Sequence, residues 1–424
     1  MHIAVVGSGP AGLTAAYRLQ QAGHIVEVLE ARDVIGGRTH AAHFGPGHHC
    51  DTGAGWLANF YTHTLRLFDE LGLRDVLLQP RQVRGAADLL VDGQLYPWPS
   101  RIETVRESTL LSAAEKERVL DYYVAVGAAQ SGDLAVDLRY DDHDAARELR
   151  PLGDGVFEFI MRSMFEGPFF TRLDHMSATM VRAWLRSLQD AVFFQVRGGM
   201  DAPWLRLAES LDVKTNAPVK SLRRVSNGVE LHGLFGARRY DGVVLAVPAP
   251  AAVPILAQEP DLAPPWLADV PYAPQVRVYA ARRTTEDAHF GVHVVPPTEI
   301  FSVEHYSGQH GAWGACPPDW QWGLVCTYGP TCTPLLDQPV RTATQTVWDA
   351  GRAFAPDLFA LEEADVVHPI RWEWAVPIMG PGHFRRLADH QHRPPVVFAG
   401  DWMCHACVEG AVRSGEAAAA AIDV

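Results

Sequence analysis

The chain opens on a strand pattern. His2–Val6 is a short, β-branched and apolar run of the kind buried on both faces. After Gly7-Ser8-Gly9-Pro10-Ala11-Gly12 the period changes. Leu13, Ala16, Tyr17 and Leu19 or Gln20 recur at helical spacing, and Gly23 stops the helix. A second strand, Ile25 to Leu29, runs into Glu30. Near the other end, Val396-Val397-Phe398 reads as a buried strand leading into Ala399-Gly400-Asp401. A helix follows, with Val408, Ala411, Val412, Gly415, Ala418, Ala419 and Ile422 on one face. Leu110 to Leu188 is rich in helix formers and poor in glycine, which predicts a helical cap. From Tyr272 to Trp374 the pattern turns to strands, as in QVRVYAAR and WGLVCTY. Proline-rich Ala257 to Gln275 marks the passage between these regions, and no internal repeat appears.

The first crossing has a chemical purpose. Gly7 permits a tight turn, Gly9 lets backbone approach a pyrophosphate, and Gly12 lets the helix pack closely on the strand. The free amides and positive end of the helix then face the phosphates. Glu30 ends the second strand, where a carboxylate accepts both hydroxyls of an adenosine ribose and repels a 2′-phosphate. Strand, glycines, helix, strand and acid fall in order within about 30 residues, the dinucleotide-binding pattern. Gly36-Gly37 can admit a cofactor closely, and Arg38 offers a guanidinium fork to a phosphate or to flavin oxygens.

The run GSGPAG…LEARDVIGGRT…DTGAGW, together with FAGDW…VEGAVRSGEAAAAAI at the far end, resembles the signatures of the flavin-dependent amine oxidase superfamily. That group includes amine oxidases, protoporphyrinogen oxidases and desaturases. GGMDAPWLRLAESL, TNAPVKSLRR and DGVVLAVPAPAA are similar to its middle segments. The resemblance implies an α/β fold: a discontinuous Rossmann-like FAD-binding domain from 1–75, 195–265 and 385–424. The substrate domain would comprise a helical cap, 76–194, and a strand-rich part, 266–384. It implies FAD contacts from Gly7, Gly9, Ala11, Gly12, Glu30, Ala31, Arg32, Gly37, Arg38, Thr39, Gly55, Trp56, Val219, Gly400, Asp401 and Val408. The acid at Asp401 would bond the ribityl chain.

Composition narrows the class. The 424 residues are 48% hydrophobic and 20% charged, with a formal charge of −14, which fits a globular protein and argues against a nucleic-acid partner. The richest apolar stretch, Val243 to Leu256, is short and broken by Pro248, Pro250 and Pro254, so no integral membrane segment is expected. The six cysteines do not make a disulfide framework, and the location expected is cytoplasmic.

The expected reaction is hydride transfer from a C–N or C–C site of a small organic substrate to flavin, with reoxidation by O2 or another acceptor. No second GxGxxG follows a strand, so no NADPH domain is expected. Many amine oxidases carry a lysine near the flavin. This chain has only Lys116, Lys214 and Lys220, none on the corresponding strand, where Gln275 or Arg277 stands instead. Gly55-Trp56 replaces the Met-Arg usual in L-amino-acid oxidases. No cysteine accompanies Trp372 and Trp374 in RWEWAVPIMGPGH, which implies noncovalent FAD. That stretch and LLVDGQLYPWPS look more like protoporphyrinogen oxidases and desaturases. Of Trp372 and Trp374, one is assigned to the pocket and the other to the core or seam. Trp374, Cys407 and Gln275 are the candidate catalytic residues.

Two smaller signals stay open. Cys404 and Cys407 form C-x-x-C at the start of the last helix, either as packing residues or as a dithiol that feeds electrons to FAD. His40, His43, His48 and His49 read as a solvated loop around Gly45-Pro46-Gly47, with a metal site as the alternative, and no metal is assigned. A flavin-binding protein without turnover is the remaining alternative.

Overall fold

In a computed structural model, which describes residues 1–80, 88–127, 133–308 and 314–423, both chain ends enter one sheet. Its order is Asp212–Lys214, Ile25–Leu29, His2–Val6, Gly242–Leu245 and Val396–Phe398, all parallel. The unbroken apolar character of His2–Val6 follows from its central place. Ile3 and Val5 pack toward the helices with Ala11, Ala15 and Ala418, while Ala4 and Val6 pack with Leu222, Leu231 and Tyr240. The latter belong to a three-stranded antiparallel sheet, Val219–Val225, Gly228–Gly233 and Gly236–Tyr240.

The first helix, Pro10–Gln21, and the closing helix, Val408–Ile422, pack on the same face of the parallel sheet. Their approach requires Gly415, because a Cβ there would lie 2.4 Å from the carbonyl oxygen of Ala11. Glu416 then receives Arg18 at 2.8 Å, and Arg66 and His63 from the Thr62–Glu70 helix at 2.8 and 2.6 Å. The small residues of the closing helix are thus a contact surface rather than a propensity effect.

A second sheet has seven strands, in the order Val366–Pro377, Tyr272–Arg283, Trp320–Thr327, Ile300–Ser307, His289–Val295, Asp88–Val91 and Gln94–Tyr96. The last two come from the stretch assigned to a helical cap, part of which (81–87 and 128–132) lies outside the described residues. Asp92-Gly93, with φ of 49° and 76°, makes the tight turn that pairs them. Asp88–Val91 then pairs parallel to His289–Val295, a long-range contact that no local pattern announces.

The rest of the cap is helical. Ser112 and Glu115 form a reciprocal cap at the start of Ala113–Val126, and Ala178–Leu188 packs in the same core. Between them, Val156–Glu166 is a wide π-helix. Its Arg162 bridges Glu158 and Glu166, and Tyr328 donates to Glu166 at 2.5 Å, tying cap to second sheet. Among the described residues, no helix is long and apolar enough to cross a membrane.

Candidate active site

The three glycines of the first turn do different work. Gly7 has φ of 104°, and a Cβ there would meet the carbonyl of Ala246 at 2.5 Å. A Cβ on Gly12 would meet the Gly7 carbonyl at 2.0 Å. Gly9, by contrast, has only the Gly36 carbonyl near its Cβ position, at 4.0 Å. Packing dictates Gly7 and Gly12, whereas Gly9 leaves open space above the helix start. No side chain caps that helix, so its first amides are left for an anionic group. The residues fit a dinucleotide.

Glu30 is buried and already bonded. It accepts from Ser8 N at 2.9 Å, Ser8 Oγ at 2.7 Å and Arg32 N at 2.9 Å. A carboxylate has about four acceptor positions. One remains for a ribose hydroxyl, not the two expected. Ala31 and Arg32 are exposed beside it. The backbone carbonyls of Glu30 and Arg32 accept from Ala217 N and Asn216 N, both at 2.8 Å, which brings Val219 alongside.

Gly36 and Gly37, with φ of 104° and 54°, fold the next loop against Gly9. A Cβ on Gly37 would lie 3.3 Å from Gly9 Cα. Thr39 is buried and spends its hydroxyl on the Gly36 carbonyl at 2.8 Å, so it shapes the loop rather than offering a donor. Arg38 turns its fork onto Asp401, with both N–H···O distances 2.8 Å, and also donates to the Ala375 carbonyl at 3.0 Å. Gly400, at φ of 148°, donates its N–H to Ser414 Oγ at 2.9 Å and so sets Asp401 against the closing helix. Val408 begins that helix and is buried.

Sequence reasoning missed Glu409. It is 1% exposed and accepts from His63 N, Thr64 N and Thr64 Oγ1 at 2.8–2.9 Å, capping the Thr62–Glu70 helix from the closing one. The only available signal was an acid on an otherwise apolar helix face.

Cys407 sits at the N-cap of the closing helix, yet burial dominates the expected dipole effect. Burial pushes the Cys404 thiol up to about 11 and Cys407 higher still. Both are neutral thiols near pH 7, so neither is the activated thiolate that a helix start would otherwise favour. Cys407 instead meets the Tyr61 hydroxyl. The ring of Tyr61 belongs to a wall with Trp56, Trp184 and Phe193, in which Trp56 lies 4.7 Å from Phe193 and 6.2 Å from both Tyr61 and Trp184.

The turn carrying Gly55 and Trp56 rests on Arg38. Ala54 N donates to the Arg38 carbonyl at 2.9 Å, and a Cβ on Gly53 would lie 1.8 Å from that oxygen. From the second sheet, Trp372 Nε1 donates to the Thr52 carbonyl at 2.6 Å, and Arg32 lies 5.5 Å over the Trp372 ring. Trp372 and Trp374 cannot be separated by strand alternation, because residues two apart ordinarily share a face. Here the register also slips, between Gln275↔Trp372 and Ala273↔Val376, with half-buried Trp374 inside the slipped stretch. Gln275 does not present its side chain to the turn. Its amide donates to the Thr327 carbonyl at 3.3 Å, and its Oε1 accepts from Thr327 Oγ1 at 2.8 Å. Arg277, two residues on, reaches the Thr52 carbonyl at 2.6 Å.

The histidine segment is not a solvated loop. Ala41–Gly45 and His48–Asp51 pair as a hairpin. His48 is buried, 3.0 Å from the Tyr279 hydroxyl, and burial pushes His49 down to about 4. Local glycines indicated the turn, but only packing against Tyr279 and Phe44 buries the flanks. His40 and His43 approach Asp201 at 3.4 and 3.2 Å. Among the described residues, no group of three or more such side chains is placed to hold a metal.

Comparison with known proteins agrees with this arrangement. Residues 10–423 match the model of the family described as flavin containing amine oxidoreductase. Coproporphyrinogen III oxidase of Mycobacterium tuberculosis is 27% identical over 99% of this chain and 97% of its own. Putrescine oxidase of Kocuria rosea is 36% identical, but over 35% of this chain and 28% of its own length. The match to the flavin-dependent L-tryptophan oxidase RebO of Lentzea aerocolonigenes likewise spans only 32% of that protein. Among solved structures, cyclohexylamine oxidase from Brevibacterium oxydans superposes with a TM-score of 0.71 at 20% identity, covering 100% of this chain and 98% of that one. With its two ends joined at Arg38 and Asp401 and its whole length matched, the chain belongs to the flavin containing amine oxidoreductase family.

Proposed function

We propose that this oxidoreductase binds FAD noncovalently and takes hydride from a C–H bond at a C–N or C–C site of a small organic substrate. O2 or another acceptor then reoxidises it. The single observation that carries this is the convergence of the open Gly9 turn, the Gly36–Thr39 loop and Asp401. Residues 1–75, 195–265 and 385–424 are assigned to the cofactor, and 76–194 with 266–384 to the substrate.

Bound FAD supplies the two-electron acceptor. The chain's part is to bind, orient and exclude water. The first helix and Gly9 take the pyrophosphate, Glu30 one ribose hydroxyl, and the Arg38–Asp401 pair the chain leading to the ring. Half-buried Trp56 and Phe193, backed by the core rings of Tyr61 and Trp184, are assigned to an apolar border where cofactor and substrate meet, with Cys407 as a neutral neighbour and Trp374 as a further pocket residue. Glu409, two residues after Cys407, is spent on a helix cap. That border suits an uncharged, ring-bearing substrate better than a polycation.

The test is anaerobic. The purified protein should be yellow and should release its flavin on acid precipitation. Hydroaromatic compounds should bleach it faster than diamines. Colourless protein that cannot be reconstituted with FAD would end the proposal.

A further inference from the structure

Arg277 is a buried cation with no ion-pair partner among the described residues, although Asp51 acts on it at longer range. It lies on Tyr272–Arg283 and is 9% exposed. Its Nη2 donates to the carbonyls of Thr52 at 2.6 Å and Gly53 at 3.2 Å, while its Nε–H is buried and meets no acceptor. Among the described residues, no carboxylate comes within ion-pair range of it. The neighbouring acid Asp51 is pushed up to about 7 by burial, so at neutral pH it is only partly charged. Cys50 and Cys326 beside it, with Glu304 near both, are thiols kept neutral by burial. A guanidinium desolvated in this way is costly until something negative completes its surroundings.

Its position says what that is. The Thr52–Gly53 turn that Arg277 holds packs directly on the backbone of Arg38. Trp372, which shares the Thr52 carbonyl, and Ala375, which accepts from Arg38, lie on the strand paired with that of Arg277. The cation therefore stands behind the backbone of Arg38, whose side chain reaches on to Asp401.

We propose that Arg277 supplies the positive charge that stabilises the negative charge gained by the bound flavin ring on reduction, which makes it a tuning residue for electron uptake. This rests on the FAD assignment above. The substrate C–H bond breaks with its electron pair and the hydride moves to the flavin. The oxidised substrate later loses a proton to solvent. One net negative charge stays on the ring, and Arg277 itself exchanges no proton.

The experiment is a dye-equilibrated redox titration of holoenzyme. Wild-type FAD should be easier to reduce than free FAD in the same buffer, and that comparison needs no variant. Arg277→Gln should make reduction at least tenfold less favourable, about 30 mV for a two-electron couple. Arg277→Lys, which keeps charge but loses the fork, should retain most of the wild-type potential. A wild-type potential at or below that of free FAD overturns the proposal, whether or not the variants fold. Equal shifts in both variants, or a shift in neither, overturn it too and leave Arg277 a clamp on the turn. Wild-type protein that takes up no flavin would instead defeat the FAD assignment.

Discussion

Arg38 and Asp401 lie 363 residues apart in the chain and close on each other through two hydrogen bonds of 2.8 Å each. Arg38 ends the glycine loop against the first helix, and Asp401 precedes the closing helix. The pair therefore couples the glycine loop to the last strand and closing helix of the parallel-sheet layer. Arg38→Met would leave Asp401 with an unmatched charge, and Asp401→Asn would leave the fork half-satisfied. Each should cost about 3 kcal/mol, the low end for breaking a buried pair because the Arg38 side chain is 25% exposed. A double-mutant cycle by urea unfolding checks this, and additive single effects would refute the coupling.

Glu30→Ala should weaken FAD binding by about 1.5–3 kcal/mol, the value of a charge-assisted hydrogen bond with its supporting contacts. Ser8 loses its partner in the same change, so Ser8→Ala should show a smaller loss in the same direction. Flavin fluorescence quenching during titration of apoprotein measures both. Unchanged affinity in Glu30→Ala would remove the ribose role.

Two glycines should separate folding from binding. Gly9 has φ of −75° and open space at its Cβ, so Gly9→Val should leave the melting temperature of apoprotein nearly unchanged yet abolish flavin uptake. Gly415→Val meets the Ala11 carbonyl and should destabilise by about 1–3 kcal/mol. A Gly9→Val protein that still binds FAD would show that the pyrophosphate lies elsewhere.

Stability should fall in mild acid. Burial holds His49, His383, His392 and His405 at about 4, below the ordinary 6.5. Between those values the unfolded chain binds more protons than the folded one, so unfolding free energy rises with pH across this window and is lost as pH drops through it. His405 Nε2 faces the Leu134 carbonyl at 2.6 Å, and its ring lies 5.2 Å from Phe384. His405→Phe should flatten the slope between pH 4 and 6.5 in urea titrations while lowering stability at pH 7 by about 1 kcal/mol for the lost bond. An unchanged slope would show that His405 titrates normally.

What the sequence determined by itself was local and periodic. An apolar run, a glycine turn and a helical stripe each lie within a short window, and they placed both ends of the parallel sheet, the functions of Gly7 and Gly12, and the family. The hairpin at Asp92-Gly93 fell inside the stretch assigned to a helical cap, and it joined the second sheet because His289–Val295 offered an edge about 200 residues away. Tertiary structure alone decided which side chains were already spent. Gln275 is committed to Thr327, Thr39 to Gly36, and two of four Glu30 positions to Ser8, because a buried polar group must find a partner wherever the fold supplies one. It also decided charge. Desolvation overrode the helix dipole at Cys407, and the packing of the second sheet buried Arg277 among carbonyls rather than in an ion pair among the described residues, since both depend on what the surrounding chain brings together, which no local pattern encodes.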